Sequence, residues 1–570
     1  MKKTFPYLVL IFLSAFLFLS GINSIPTQDR DEALYVQASR QMLEERTFTQ
    51  INIQDQTRHL KPPGIYWLQA GLVSVTTGFK SEAMWPYRLI SCLGAFFSLL
   101  GVFIFWRKSL GEPVALLAAC FLGFSFLLNI ETHIANTDSV LLACMVFMQG
   151  ALWKCYEQFS HGQKILKIHT WTFWLAMTLG VLIKGITPLV GFLSILCLII
   201  LDFKKVEKLE KVKKERERSF FKSLRPISGI CVLILLTLLW LVPLSLSSHS
   251  NFLWDMIHGD IVPKLAGGQE SHGALPGYFL VLLPLMFFPA SLLIPEGLRL
   301  AWLDRRKIHM KFLIAWIIPS WILFEIIPTK LPQYVLPLYP ALALILSLAA
   351  LRLITISPGF KSFLSKIYQM IWLFLAGVLA LVLIILPYRI QGVFSLISIF
   401  AGVSLFLLSL FILWAHRVKK LRCFLTGLFL LALITWPLVF KFVLPEMSDF
   451  WLTQKLTQHL KQDGLYSKIS PEHPLVITGY LEPSVIFNFG TFNIQRVNSP
   501  EALAQDLKSG NYLAGVLLDT QQAEFNQAAK SLNLKTHLVD QLTGFEYNGG
   551  HWRNLIILEP SLESSLEPRE

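Results

Sequence analysis

The chain has 570 residues, of which 54% are hydrophobic and 15% charged, and it carries a net charge of +13. A soluble domain has about 25% charged residues. This composition, with a mean hydropathy of +0.54, therefore excludes an ordinary soluble protein and describes one that crosses a membrane many times. The excess lysine and arginine sits in short loops between apolar segments, which reads as membrane topology and not as a nucleic-acid surface. The seven cysteines, from Cys92 to Cys423, form no CxxC motif and no disulfide framework.

In chain order, Lys2-Lys3 and the apolar run from Phe5 to Ser20 fit either a secretory signal or a first membrane helix. Leu19-Ser20-Gly21-Ile22-Asn23 is a poor small-residue cleavage site, so an uncleaved helix is expected. Residues 21–85 then form a loop on the far side. In it, Asp31-Glu32 opens a stretch with apolar residues at 34, 38, 42 and 43, a helical period with acid at its start. Such a helix is expected to lie in the membrane interface, apolar face down. Lys61-Pro62-Pro63-Gly64-Ile65-Tyr66-Trp67 follows.

Apolar segments continue at about 86–106, 113–130, 139–153, 171–183, 188–201, 227–247, 277–296, 312–327, 335–351, 369–388, 392–415 and 423–444, which with the first makes about thirteen. Counted from a cytoplasmic N-terminus, six basic clusters fall on one face, as the positive-inside rule requires. They are Arg107-Lys108, Lys154 to Lys167, Lys204 to Arg225, Arg305 to Lys307, Lys361 with Lys366, and Arg417 to Arg422. The Lys204–Arg225 run also carries acids and is expected to be a solvated helix near anionic lipid.

The opposite face receives 21–85, 131–138, the Lys184-Gly185 turn, 248–276, 328–334, the short 389–391 turn and everything after about 446. Residues 446–570 change character. Leu475–Thr478 and Ala514–Leu518 read as buried strands, Pro500–Lys508 and Gln521–Leu532 as helices, and Asn548-Gly549 as a hairpin turn. The expected architecture is a polytopic α-helical domain over 1–445 and a small α/β domain over 446–570.

Asp31, Glu32, Arg58, Lys61, Asp138, Lys184, His258 and Lys330 all fall on the outer face. Ionisable groups this close to a bilayer cost free energy unless they meet water, a partner or a ligand. Carboxylates suit deprotonation of an acceptor hydroxyl, and lysines suit a lipid-linked phosphate. Each has a plainer reading: Asp31 and Asp138 as helix caps, Lys61 as a snorkelling side chain, His258 as an ordinary loop histidine.

The ordered set Asp31-Glu32-Ala33-Leu34-Tyr35, Lys61-Pro62-Pro63, Ala135-Asn136-Thr137-Asp138, Ile183-Lys184-Gly185 and Thr329-Lys330-Leu331-Pro332 resembles the bacterial aminoarabinose lipid A transferases. With the protein O-mannosyltransferases, these are GT-C membrane glycosyltransferases. The resemblance covers residues 1 to about 445. It implies inverting transfer of a sugar from a polyprenyl-phosphate carrier to lipid A, lipopolysaccharide or, in the mannosyltransferase alternative, a protein, in the bacterial inner membrane with the site facing the periplasm. It implies Asp31 as base with Glu32 and Asp138 beside it, and Lys61, Lys184, Arg58 and Lys330 as cations for the carrier phosphate. A divalent cation near His258 is compatible with it. The chain departs from the family at Leu34, where relatives carry Arg, at Leu60, where they carry Glu, and at Ile257, where Glu tends to precede the histidine. A flippase of lipid-linked sugars is the competing class. It would place charges mid-membrane and show repeated halves, whereas these apolar cores are almost free of charge, with Glu325 near a helix end.

The charge count makes a topological prediction. A periplasm-dependent reporter fused after Pro560 should be active, and a cytoplasm-dependent one silent; the reverse would mean one span too many or too few.

Overall fold

The computed structural model describes residues 4–78, 81–203, 220–247, 251–267, 273–352 and 363–561. Lys361, His272 and residues 204–219 of the basic run lie outside these. Each of the thirteen apolar segments is helical. By length and hydropathy, eight helices among the described residues suit a membrane crossing, or up to ten when two bent pairs are each taken as one span. The remaining segments are short helices such as Phe5–Phe18 and Thr187–Leu201.

The first helix, α1 (Phe5–Phe18), buries Leu10, Leu13, Leu17 and Phe18 at helical spacing. Two longer helices, α4 (Trp85–Leu110) and α7 (Asp138–Ser160), form the centre of the bundle. They approach so closely that a Cβ on Gly94 would stand 2.6 Å from the carbonyl oxygen of Ser139. A small residue at such a crossing lets backbones meet. Between α4 and α7 the chain makes the bent pair α5 (Glu112–Phe124) and α6 (Phe126–Thr132), turning 65°.

The 21–85 loop is folded. It contains α2 (Asp31–Glu44), the small ladder of β1 (Asn52–Ile53) with β2 (Gln56–Thr57), and α3 (Gly64–Val75). The apolar face of α2, expected to point down into lipid, is instead covered by protein. Ten of its fourteen residues are buried, because helix Pro483–Phe489 covers the side that α3 leaves open. Arg40 donates to the Phe487 carbonyl at 2.7 Å and Gln37 to Thr491 at 2.7 Å. A helix with protein on both sides has little face left for lipid.

Glu32 and Arg88 pin this loop to the bundle. Arg88 donates to both Glu32 oxygens, at 2.8 and 2.7 Å, and to the carbonyls of Ile22, Ile25 and Pro26. Glu32 also accepts from the backbone N–H groups of Gln28 and Ala135. Both side chains are completely buried.

The C-terminal region carries a five-stranded sheet in the order β4-β3-β5-β7-β6: β3 (Leu475–Ile477), β4 (Ile494–Arg496), β5 (Ala514–Leu518), β6 (Thr536–Glu546) and β7 (His551–Pro560). The β3, β4 and β5 strands run parallel, and β7 pairs antiparallel with β5 and β6. Leu475–Ile477, Ala514–Leu518 and the 547–550 turn occur where the apolar runs and the Asn-Gly pair place them. The expected boundary near residue 445 falls inside helical chain, since Leu421–Leu438 continues through a π turn into Leu444–Glu446.

Breaking a buried ion pair leaves an uncompensated charge and costs about 3–5 kcal/mol. Arg88→Met should lower the unfolding temperature markedly in detergent. The double change Glu32→Gln with Arg88→Met should recover part of the loss. Equal stability of Arg88→Met and the unaltered chain would refute the role given to this pair.

Candidate functional site

One cavity joins residues far apart in sequence. It has a volume of about 180 Å³ and is lined by Lys61, Asp138, Lys184, Asp260, Lys264 and Tyr334, with Leu141, Leu323, Phe324 and Ile327 among its apolar walls. Lys61 begins the turn into α3, Asp138 is the first residue of α7, and Lys184 is the last of α8 (Lys167–Lys184). Helix ends deliver all three because outer loops join there. Asp260 sits on a π-helical turn, Ile257–Ile261, one turn before Lys264.

The charges are arranged in pairs. Lys184 donates to Asp138 at 2.6 Å and stands 5.5 Å from the Tyr334 ring centre. Lys61 and Lys264 both donate to one oxygen of Asp260, each at 2.6 Å. Burial and then the charge of Lys264 pull Lys61 down, to about 7, against the opposing pull of Asp260. Burial opposes ionisation of Asp260 too, but its two lysines hold its carboxyl below the usual range. Three ammonium groups thus face two carboxylates across a mostly apolar hollow. Such a site favours an anion with an apolar tail.

Asp31 opens α2 and is exposed. The preceding Arg30 has φ 61°, a left-handed backbone that a non-glycine residue adopts at a cost of about 1–3 kcal/mol. Neither Asp31 nor Asp138 is used as a side-chain helix cap. The buried rings of Tyr35 and Tyr66, 5.5 Å apart, lie within electrostatic reach of Asp31 and Arg58, and Tyr66 also senses Asp260. Burial, first of all, pushes both phenols up.

Four sequence expectations are corrected. Both Glu32 oxygens are occupied within the sealed clamp, so no substrate atom reaches them in this conformation. Lys330 is buried and donates to the Ile327 carbonyl at 2.5 Å, satisfying the end of helix Ile308–Ile326, and does not line the cavity. Arg58 donates to the Tyr66 hydroxyl at 3.3 Å and borders a second cleft instead. His258 stacks on Trp254 with centres 3.6 Å apart and its Nδ1 meets the Trp254 carbonyl. Among the described residues, no three His, Cys, Asp or Glu side chains gather as a metal site.

Sequence reasoning missed Glu131 and Asp29. Glu131 is buried at the end of α6, accepts from Asn136 at 2.6 Å, and through Asn136 supports the backbone N–H of Asp138. A carboxylate ending an apolar segment beside an outer loop was the available signal. Asp29 lies at the seam with the C-terminal hairpin, where its N–H donates to the Tyr547 hydroxyl at 2.5 Å. Burial and then Glu482 push its carboxyl up to about 7. Nothing local in the sequence announces that contact, which spans over five hundred residues.

The family model described as dolichyl-phosphate-mannose-protein mannosyltransferase matches residues 60–214. An undecaprenyl phosphate-alpha-4-amino-4-deoxy-L-arabinose arabinosyl transferase of Pseudomonas fluorescens is 26% identical over 325 residues, covering 55% of this chain and 54% of that one. The corresponding Pectobacterium carotovorum protein is 26% identical over 403 residues, covering 67% and 66%. The matched part thus spans little more than half of the first of these relatives. The crystal structure of ArnT from Cupriavidus metallidurans bound to undecaprenyl phosphate superposes with a TM-score of 0.68 at 16% identity, over 97% of this chain and 98% of that one. The chain thus shares the fold of that ArnT structure, has the apolar helices of a multi-pass membrane protein, and over part of its length is similar in sequence to aminoarabinose arabinosyl transferases.

Proposed function

We propose that the chain is an inverting glycosyltransferase that moves a sugar from a polyprenyl-phosphate carrier to lipid A or lipopolysaccharide. On this reading it sits in the bacterial inner membrane with its site facing the periplasm. The observation that carries the proposal is the apolar cavity in which Lys61, Lys184 and Lys264 converge. An isolated anion would be costly there, whereas a phosphate with a polyprenyl tail satisfies both the cations and the walls. The names of the sequence relatives support an undecaprenyl-phosphate donor.

In the reaction, the bond between the sugar anomeric carbon and the phosphate oxygen breaks while the acceptor oxygen attacks from the opposite face, inverting that carbon. Asp31 takes the acceptor proton. The carrier phosphate leaves as an anion and needs no proton, because the lysines stabilise its charge. Asp138 holds Lys184, and Asp260 holds Lys61 and Lys264, so the donors are oriented before the phosphate arrives. Residues 446–570 form a covering domain that seats α2 and takes no chemical part. The family model over 60–214 favours a second acceptor class, protein hydroxyl groups. Mass spectrometry of lipid A, core oligosaccharide and secreted proteins from cells with and without this chain separates the two.

Asp31→Asn keeps shape and removes basicity, so turnover should fall about 10²-fold or more while donor binding persists. Unchanged turnover would sink the assignment of the base. Lys184→Ala should weaken carrier binding by about 1.5–3 kcal/mol in direct titration.

A pH profile tests Lys61. An anion binds its protonated form, and a lysine drawn down to about 7 loses that proton as pH rises through neutrality. Affinity for a phosphodiester donor analogue, which does not titrate there itself, should therefore fall from pH 6 to pH 9. Lys61→Arg, which stays protonated, should flatten the profile. A flat profile in the unaltered chain would contradict the lowered pKa.

A further inference from the structure

A second cleft, of about 510 Å³, adjoins the lysine cavity. Its lining includes Arg58 and His59 from the first loop, Trp254 and Asp255 from helix Phe252–Met256, and Pro483 and Arg496 from the C-terminal region. Leu60 lines both hollows, and its Cδ2 lies 2.9 Å from where a Cβ on Gly259 would stand. Between them, therefore, is little more than one side chain. The π-helical turn serves both sides, since Asp260 and Ile261 line the first and His258 and Gly259 the second.

The two hollows differ in chemistry. The first is walled by apolar side chains and carries lysines already held by carboxylates. The second mixes Leu34, Ile53, Leu60 and Pro483 with polar side chains and carries two arginines whose terminal nitrogens are not hydrogen-bonded among the described residues, the Arg58 guanidinium lying 5.5 Å from the Tyr35 ring centre. Arg58 uses its Nε on Tyr66 at 3.3 Å and Arg496 its Nε on Gln54 at 2.9 Å. Among the described residues, no protein acceptor meets the terminal nitrogens of either. Burial, without a neighbouring anion, pulls the Arg496 guanidinium down from its ordinary range. The acid of the cleft, Asp255, is engaged with His59 at 2.8 Å. Trp254 offers an aromatic surface that is 60% exposed.

We propose that this cleft is the acceptor subsite, in which Arg58 and Arg496 grip a phosphate group carried by a glycolipid acceptor. The inference rests on the glycosyltransferase reading and adds to it the residues that choose the acceptor. An open guanidinium fork matches phosphate geometry with two parallel hydrogen bonds, which a lysine cannot supply. With the carrier phosphate behind Leu60 and the acceptor phosphate on the arginines, the acceptor oxygen meets the anomeric carbon at the thin partition. Asp31 lines neither hollow, and its charge acts on Arg58 at the edge of the second. Since Arg496 belongs to β4, acceptor choice would be read partly by the C-terminal sheet.

The test is direct binding to the purified full-length chain, with three probes: a diphosphoryl lipid A disaccharide, its dephosphorylated form, and undecaprenyl phosphate. Arg496→Gln should weaken the diphosphoryl probe about tenfold, leave the dephosphorylated probe alone, and leave undecaprenyl phosphate alone. Arg58→Gln should do likewise. Gln54→Ala removes the tether of Arg496 but keeps its charge, and should cost far less than Arg496→Gln. The proposal fails if the unaltered chain does not prefer the diphosphoryl probe, if Arg496→Gln binds it normally, or if Gln54→Ala reproduces the whole loss. Failure of the donor reading would look different: undecaprenyl phosphate would not bind the unaltered chain, or Lys184→Ala would leave its binding intact.

Discussion

The Glu32–Arg88 pair is the constraint on which the outer half of the molecule depends. Two charges stripped of water are costly, and this pair answers that cost by satisfying its members almost completely. Arg88 ties down three carbonyls of the chain leaving α1, and Glu32 takes N–H groups from Gln28 and Ala135. Asp31 is next to Glu32, and Asp138 is three residues beyond Ala135. One ion pair inside the protein therefore sets two of the carboxylates outside it. The acidic pair is thus divided: one member is spent on architecture so that the other can stand exposed.

The cavity follows the same logic with weaker pairs. Its lysines are not free charges awaiting a ligand, since Asp138 and Asp260 hold them at hydrogen-bonding distance. A lysine is a mobile point charge on a long stem, and fixing it beforehand removes the entropy that an anion would otherwise have to overcome. Asp260 shares one oxygen between two ammonium groups, so the local balance stays positive. Helix ends gather these groups because the loops of a membrane bundle lie at its rims, beside the headgroups.

Much of this was legible beforehand. The hydropathy segments all became helices, and the ordered motifs placed Lys61, Asp138 and Lys184 around one hollow. Lys330 and Arg58 were harder, because a cation on the correct face has many acceptors to choose from. Lys330 found the carbonyl end of a helix, and Arg58 a tyrosine beyond the partition. Glu131 escaped notice because its partner, Asn136, has meaning only once α6 turns against α7. The lipid contact expected of α2's apolar face was replaced by protein for a related reason. Its apolar period describes a buried face without saying what buries it, and the answer was a helix some 450 residues away.

The sequence by itself determined the class of molecule, the local strands and helices of its C-terminal region, and the residue types available for chemistry. Those properties are short-range: hydropathy sets spans and alternation sets strands. Only the tertiary structure decided which acid is buried and which exposed, which lysine meets which carboxylate, and that β4 lends an arginine to a cleft beside the membrane. These are outcomes of packing between segments hundreds of residues apart. A carboxylate or a cation reads the same in sequence whether it ends in a sealed clamp or in an open cleft; the difference is the loss of water and the partner supplied in its place.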